Sequence, residues 1–382
     1  MLTSLRVKNF RLFSDLTLPR LGRVNLVVGK NNSGKTCLLE AVRVYAEEGA
    51  FPLLKQLVID RHEDIDALAD QDRRDTGEAY ADHFRSLFHG YRFPTRLEDR
   101  IEIGPVPVES GSPLPNLLIG LGAYVKGDPA TGAIRQRIDV PTGEDVPEEA
   151  DLFLERRLVR GPGEVEITSF PLGAWSRPTR RMMGEQPPPR SRFVGAKAFN
   201  EDSQETVADQ WARVSVRPSQ RERVLEALRL IDPAIREVVM IPGPRRHSEP
   251  VVIYSDDFRL PLRSLGDGIG RIFQMALATV VERSGTVLFD EFENGLHWSV
   301  QPLAWALIFK LATELDLQVV ATTHSWDCID AFQQAGRAGD PDSAMLFHLG
   351  RSVRKSTENQ VVVATYTGEE LHRATKAHLE IR

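Results

Sequence analysis

Three stretches of this 382-residue sequence predict an α/β fold built on buried strands. An apolar run from Val24 to Val28 leads into a glycine-rich turn and a helix, a second run from Thr286 to Phe289 ends in two acids, and a third from Val319 to Thr323 ends in His324. Short apolar runs bounded by turns or polar ends read as strands covered on both faces, and strands alternating with helices read as α/β. Composition agrees: 41% hydrophobic and 27% charged residues are ordinary for a folded chain and exclude disorder or a fibrous repeat. With 48 basic and 54 acidic residues the net charge is −6, which excludes indiscriminate nucleic-acid binding through overall charge while leaving room for a local basic patch. Two isolated cysteines, Cys37 and Cys328, support neither a disulfide framework nor a structural zinc site. The opening Met1 to Arg11 carries Arg6, Lys8 and Arg11, so no secretory signal is read there. The most apolar helical stretch, Leu303 to Ala312, contains Lys310 and falls short of the roughly 20 residues of a membrane span. A cytoplasmic protein without membrane contact is expected.

Along the chain, strands are predicted at Leu2 to Val7, Leu16 to Leu18 and Val24 to Val28, then a helix from Lys35 to Glu47. Helical spacing continues from Leu53 to Phe88. Between Ile101 and Ile167 the pattern turns to β segments, Leu117 to Val125, Ile134 to Val140 and Val165 to Ile167, separated by Pro- and Gly-containing turns. Ser176 to Arg192, with Arg177, Arg180, Arg181, Arg190 and Arg192 around three prolines, reads as an exposed loop. Helical patterning returns from Glu205 to Leu230, followed by strands near Glu237 to Ile241 and Val251 to Tyr254, and a core helix from Ile269 to Val281. The resulting division is 1–50 with the glycine-rich loop, 51–250 as an inserted helical and β region, and 251–382 with the remaining motifs. No internal repeat or sustained heptad stretch is apparent.

The strongest motif is Gly29-Lys30-Asn31-Asn32-Ser33-Gly34-Lys35-Thr36, a G-x-x-x-x-G-K-[ST] loop between a strand and a helix, extended by Cys37. Glycine lets the backbone curl so that successive N–H groups face an anion, and the helix N-terminus adds favourable potential for phosphate oxygens. In such a P-loop, Lys35 bridges the β- and γ-phosphates and the Thr36 hydroxyl ligates Mg²⁺. The strand Thr286 to Phe289 delivers Asp290 and Glu291 to its end; beside phosphates, Asp290 suits the Mg²⁺ shell and Glu291 suits polarising the attacking water. An ordinary acidic strand end is the plainer reading of that pair taken alone. His324 at the end of the third strand is placed to contact the γ-phosphate, although a lone strand-end histidine is more often structural.

These motifs in this order resemble the ABC-type ATPase heads shared by SMC, RecF and OLD proteins, in particular the short ABC-like AAA ATPases of bacterial and anti-phage defence operons. The resemblance is carried by Leu5-Arg6-Val7-Lys8-Asn9-Phe10-Arg11, similar to that family's first strand and N-F-R turn, by Asp290-Glu291-Phe292-Glu293-Asn294-Gly295-Leu296-His297, similar to its extended Walker B segment, and by Ala321 to Ser325. It implies a P-loop NTPase with an ABC-like two-lobed head, a mixed sheet and an inserted α/β region. It also assigns Ser264 to Arg271 to the signature motif, so that Asp267, Gly268 and Arg271 join the nucleotide site across a dimer. Gly266 replaces the usual signature serine and removes a hydroxyl donor; Phe292 stands where many relatives have proline. Gln56 is one candidate for the Q-loop glutamine, and Arg11 and Phe13 are candidates for touching the base or ribose. Adenine over guanine follows from the resemblance, and no N-K-x-D motif is present.

The function expected from these readings is ATP hydrolysis with Mg²⁺ by a nucleotide-stabilised homodimer or higher homo-oligomer that controls a separate effector or nuclease protein, in DNA metabolism or anti-phage defence. The chain after His324 is too short for the Toprim domain of OLD nucleases, so nuclease activity is expected from another chain. DNA is a candidate ligand through the arginines of Ser176 to Arg192 and Arg245-Arg246-His247, although such arginines more often solvate a loop. The alternative is a nucleotide-gated scaffold that restrains an effector with little hydrolysis and no DNA.

Overall fold

The computed structural model describes residues 1–61, 84–92, 99–106, 116–127, 135–138, 150–161, 163–171, 190–196, 206–242, 248–282, 285–338, 343–352, 360–367 and 370. The chain opens with the hairpin β1 (Leu5–Phe10) and β2 (Phe13–Leu18), then β3 (Val24–Gly29), α1 (Lys35–Ala46) and α2 (Phe51–Ile59). There follow β4 (Ile101–Gly104), β5 (Asn116–Lys126), β6 (Arg135–Ile138), β7 (Asp151–Gly161), β8 (Glu164–Pro171) and β9 (Ser191–Val194). Helices α3 (Val207–Ser215) and α4 (Pro218–Arg229) lead into β10 (Ile235–Pro242), β11 (Ser248–Tyr254) and β12 (Arg259–Pro261). The last part alternates α5 (Asp267–Val281), β13 (Thr286–Phe289), α6 (Gln301–Glu314), β14 (Gln318–Thr323), α7 (Trp326–Ala338), β15 (Ala344–Arg351) and β16 (Val361–Thr367).

The central sheet runs β16-β15-β3-β14-β13-β9. Its inner strands pair in parallel and β16 is antiparallel to β15, which makes the sheet mixed. Alternation along each strand sends side chains to two cores. Leu26, Val28, Val287, Phe289, Val319 and Ala321 pack against helices α3 to α7. Val27, Leu288, Val320, Met345 and Phe347 pack with α1, α2 and a second, antiparallel sheet, β2-β1-β4-β5-β7-β8, on which β6 pairs β5. A third sheet, β10-β11-β12, lies beside α4 and the turn before α5. This is a mixed α/β architecture in which the glycine-rich loop joins β3 to α1, as the sequence predicts. The 51–250 stretch contributes β4 to β8 to the sheet that contains β1 and β2, and β9 to the sheet that contains β13. Among the described residues no helix is long and apolar enough to cross a membrane.

Several elements differ in detail from the sequence reading. Arg192 does not lie in an exposed loop: Ser191–Val194 is a strand parallel to β13, and Arg190 just before it donates to Glu48. Arg177, Arg180, Arg181 and Arg245 to His247 lie outside the described residues. The helical stretch 205–230 is two helices, because Pro218 lacks an N–H and opens a new first turn. Of the helical stretch Leu53 to Phe88, α2 and a short 3-10 turn at Arg85–Leu87 are seen, and 62–83 lie outside the described residues.

The run Val24 to Val28 is interrupted by Asn25, a fully buried polar residue at the start of β3. The fold tolerates it because the amide is satisfied on every side: it accepts from Gly22 N–H at 2.8 Å and donates to Gly22 C=O at 2.9 Å and Val319 C=O at 3.0 Å. One side chain thereby ties the turn before β3 to β14, and a buried polar group so paired costs little. Replacing it by alanine strips three buried partners, so Asn25→Ala is expected to lower stability by about 2–4 kcal/mol, read as a lower urea midpoint at unchanged slope.

Candidate functional site

Because β3, β13 and β14 are parallel, their C-terminal ends meet on one edge of the sheet. The register pairs Phe289 with Ala321 and Val28 with Thr323, which sets Asp290 beside Thr322 and brings His324 level with Gly29. The loop Gly29 to Gly34 closes this edge. Gly29 has φ 152°, and a Cβ there would stand 2.4 Å from Leu349 C=O and 2.7 Å from Ser33 Oγ. Gly34 has φ 100° and begins α1, with Phe13 packed directly beneath it. Both glycines are therefore dictated by backbone conformation and close approach. Ser33 is buried, and its hydroxyl makes no hydrogen bond among the described residues. Asn31 and Asn32 are exposed at the rim, Asn32 in the left-handed region at φ 62°.

Lys35 turns back over the loop, its Nζ donating to Gly29 C=O at 2.7 Å and Lys30 C=O at 3.1 Å. Burial pulls its pKa below the ordinary lysine value, opposed by the carboxylates of Asp290, Glu291 and Glu293. Thr36 Oγ1 donates to Asp290 Oδ2 at 3.1 Å, a contact between residues 254 positions apart. The other carboxylate oxygen, Oδ1, accepts from Thr322 Oγ1 at 2.6 Å, and Thr322 Oγ1 in turn accepts from Glu291 N–H at 2.8 Å. Thr322 thus holds both acids, a role the sequence reading missed; the strand register alone would have exposed it. Glu291 sits at φ 48°, in the left-handed region uncommon for a residue with a side chain, and its carboxylate makes no hydrogen bond among the described residues.

His324 is brought to the same edge, where Glu293 Oε1 accepts from its main-chain N–H at 3.0 Å and stands 3.1 Å from its Nδ1. Phe292, in the place of a proline, is fully buried and stacks on Trp305 at 3.7 Å between ring centroids. On the other side of the acids, Gly268 and Asp267 at the start of α5 pack on Gly295: a Cβ on Gly268 would meet Gly295 C=O at 3.0 Å, and one on Gly295 would meet Asp267 Cβ at 3.3 Å. Gly266 has φ 89° and is exposed at the N-cap of α5, so the missing signature serine has a backbone cause: this turn favours glycine.

Several expected contacts are redirected. The guanidinium of Arg271, read as a nucleotide contact, is buried and committed to main-chain carbonyls: Asp290 at 2.7 Å, Glu291 at 3.0 Å and Gly195. Burial lowers its pKa to about 10, against the pull of Asp290, Glu293 and Glu291. Arg11 and Phe13 are 2% and 1% exposed and cannot reach a base. Arg11 pairs with Glu40 of α1 at 2.8 Å and donates to Leu57 C=O at 3.1 Å, bracing the loop's helix from inside. The Cys37 side chain is turned into the core near Arg61, where burial pushes its thiol pKa up. Gln56 donates to Asp60, the residue that caps the end of α2.

Comparisons with known proteins agree with this geometry. The AAA ATPase domain family matches residues 1–78, and the family described as "AAA domain, putative AbiEii toxin, Type IV TA system" matches residues 165–327. An ATP/GTP phosphatase of Helicobacter pylori is 24% identical, with 97% of each chain covered. An OLD nuclease of Thermus scotoductus is 26% identical over 97% of this chain, which spans 65% of that relative's length. Among solved structures, an SMC head bound to the C-terminal winged-helix domain of ScpA aligns over 98% of this chain and 99% of that one, with TM-score 0.47 and 13% identity. Both family matches are to AAA domains, the first taking in the loop Gly29–Thr36 and the second the acids Asp290 and Glu291 and His324.

The Arg271 fork makes a direct prediction. Arg271→Met leaves three half-buried carbonyls without this donor and is expected to cost about 1–3 kcal/mol in thermal unfolding, with Arg271→Lys recovering less than half because a single ammonium cannot serve three separated acceptors.

Proposed function

We propose that this chain is an ATPase that binds MgATP on the loop Gly29–Thr36, hydrolyses it with Glu291 as the base, and closes on the nucleotide as a homodimer. The observation that carries this reading is the 3.1 Å contact between Thr36 Oγ1 and Asp290 Oδ2, which joins loop and acid at one point. Two hard oxygen donors at that spacing suit Mg²⁺, whose neighbouring octahedral ligands stand about 2.9 Å apart at ordinary metal–oxygen distances. When bound, the ion would neutralise charge on the β- and γ-phosphate oxygens. Main-chain N–H groups from Gly34 to Cys37 at the start of α1 would face the phosphates, and the buried Ser33 hydroxyl supplies a further donor. Lys35 would exchange its two loop carbonyls for phosphate oxygens and regain there the charge stabilisation that burial withdraws. Glu291, with its main chain pinned by Thr322 and Arg271 and its carboxylate unbonded, would take the proton from attacking water.

The dimer reading rests on the exposed start of α5. Gly266 and Asp267 present a helix N-terminus to solvent, and Trp298 and Leu303, 64% and 45% accessible, are large apolar side chains that a second copy would cover. The likeness to an OLD nuclease and to a toxin-system family supports an output delivered to a separate effector or nuclease protein, in DNA metabolism or anti-phage defence. A nucleotide-gated scaffold with little hydrolysis is the second reading, favoured by Gly266, which offers no hydroxyl to a partner's phosphate.

The test separates binding from turnover. Lys35→Ala is expected to lose nucleotide affinity, whereas Glu291→Gln keeps affinity within about threefold, loses at least about 100-fold in phosphate release, and sediments as a dimer with MgATP. Full turnover in Glu291→Gln overturns the base assignment. Negligible turnover in the unmodified chain, with a stoichiometric partner retained in ATP without DNA, selects the scaffold.

A further inference from the structure

Glu293 is one acid more than the reaction above uses. It lies two residues past Glu291 in the segment that follows β13, and its side chain is only 9% accessible. A single oxygen, Oε1, takes both the main-chain N–H of His324 at 3.0 Å and the ring Nδ1 at 3.1 Å. The other oxygen, Oε2, is buried and makes no hydrogen bond among the described residues. Burying a carboxylate so incompletely paired is costly, and the cost is borne at one place, against a histidine whose ring is 55% accessible on its other side. The field of this carboxylate also reaches Lys35 and Arg271, so it belongs electrostatically to the site.

We propose that Glu293 is the positioning residue for His324: it fixes the imidazole as the Nδ1–H tautomer and leaves the Nε2 lone pair facing outward. The two ring nitrogens are distinct, and the hydrogen bond made by one decides what the other can do. With Nδ1–H given to Glu293, Nε2 accepts a proton from a water or from a phosphate-bound hydroxyl. The same proton is returned from Nε2 when product leaves, and no bond other than N–H and O–H is made or broken. His324 is thereby a proton-holding contact to the terminal phosphate instead of a fixed donor. The main-chain bond adds a mechanical link, since the segment carrying Glu291 and the strand carrying His324 then move as one piece.

This inference rests on the ATPase reading for its kinetic arm and is independent of it for its spectroscopic arm. In ¹⁵N-histidine NMR of the full chain without nucleotide, with His324 assigned by its absence in His324→Ala, the neutral ring is expected as the Nδ1–H tautomer. In Glu293→Ala it is expected to revert to the Nε2–H tautomer favoured by free histidine. A ring that stays Nδ1–H in Glu293→Ala overturns the proposal whether or not the protein hydrolyses ATP. In turnover, Glu293→Gln, which keeps an acceptor for the main chain and so guards against misfolding, is expected to lower kcat at least about tenfold with KM for ATP within about threefold. Glu293→Gln combined with His324→Ala is expected to be no slower than His324→Ala alone. Independent, multiplying losses, or a Glu293→Gln variant as fast as the unmodified chain, refute the assignment. If no chain turns over ATP while the tautomer changes as stated, the ATPase reading fails and the dyad stands.

Discussion

One carboxylate, Asp290, is shared by two hydroxyls that arrive from different parts of the chain, Thr36 from the helix after β3 and Thr322 from the end of β14. Everything else in the site is arranged so that this sharing can occur. The parallel register of β13 against β14 puts the carboxylate beside Thr322, the left-handed φ of Gly34 starts α1 where Thr36 can reach, and Asp290 N–H is anchored on Val194 C=O from the edge strand β9. Each contact is modest by itself. Their sum is a rigid junction of strand ends, because moving any one strand along its axis breaks hydrogen bonds at the other two.

Around that junction the charge is deliberately unbalanced. Asp290, Glu291 and Glu293 act on both Lys35 and Arg271, while the hydrogen bonds of the Arg271 guanidinium go to main-chain carbonyls and not to the carboxylates. The same arrangement explains why Arg271 sits at the base of α5: the helix that begins with the exposed Gly266 and Asp267 grips the backbone of both acids, so events at its tip are mechanically joined to the carboxylates.

What could be read in advance was whatever is local. The loop Gly29–Thr36, the acids at the end of Thr286–Phe289 and the histidine after Val319–Thr323 declare themselves by pattern, and the two apolar cores follow from strand alternation. What escaped was set by register and by direction of side chains. Thr322 looks like any strand residue until β14 is slid against β13, and Arg271 and Arg11 look like surface cations until their guanidinium groups are seen turned inward. Asn25 shows the converse: a polar residue breaking an apolar run is harmless when backbone partners surround it. The strand β9 was hidden because four residues, Ser-Arg-Phe-Val, at the foot of an arginine- and proline-rich stretch carry too little pattern to outweigh their neighbours.

Phe292 is the feature with the widest reach. A proline at that position would stiffen the acidic segment through its own ring closure, independent of its surroundings. Here stiffness comes from an aromatic face laid on Trp305, which in turn meets Phe332 of α7 edge-on. The alignment of Glu291 and Glu293 is therefore borrowed from the cohesion of the interior, and anything that loosens that interior, from a cavity beneath the indole to a rise in temperature, disturbs the placing of these acids while the global architecture still stands.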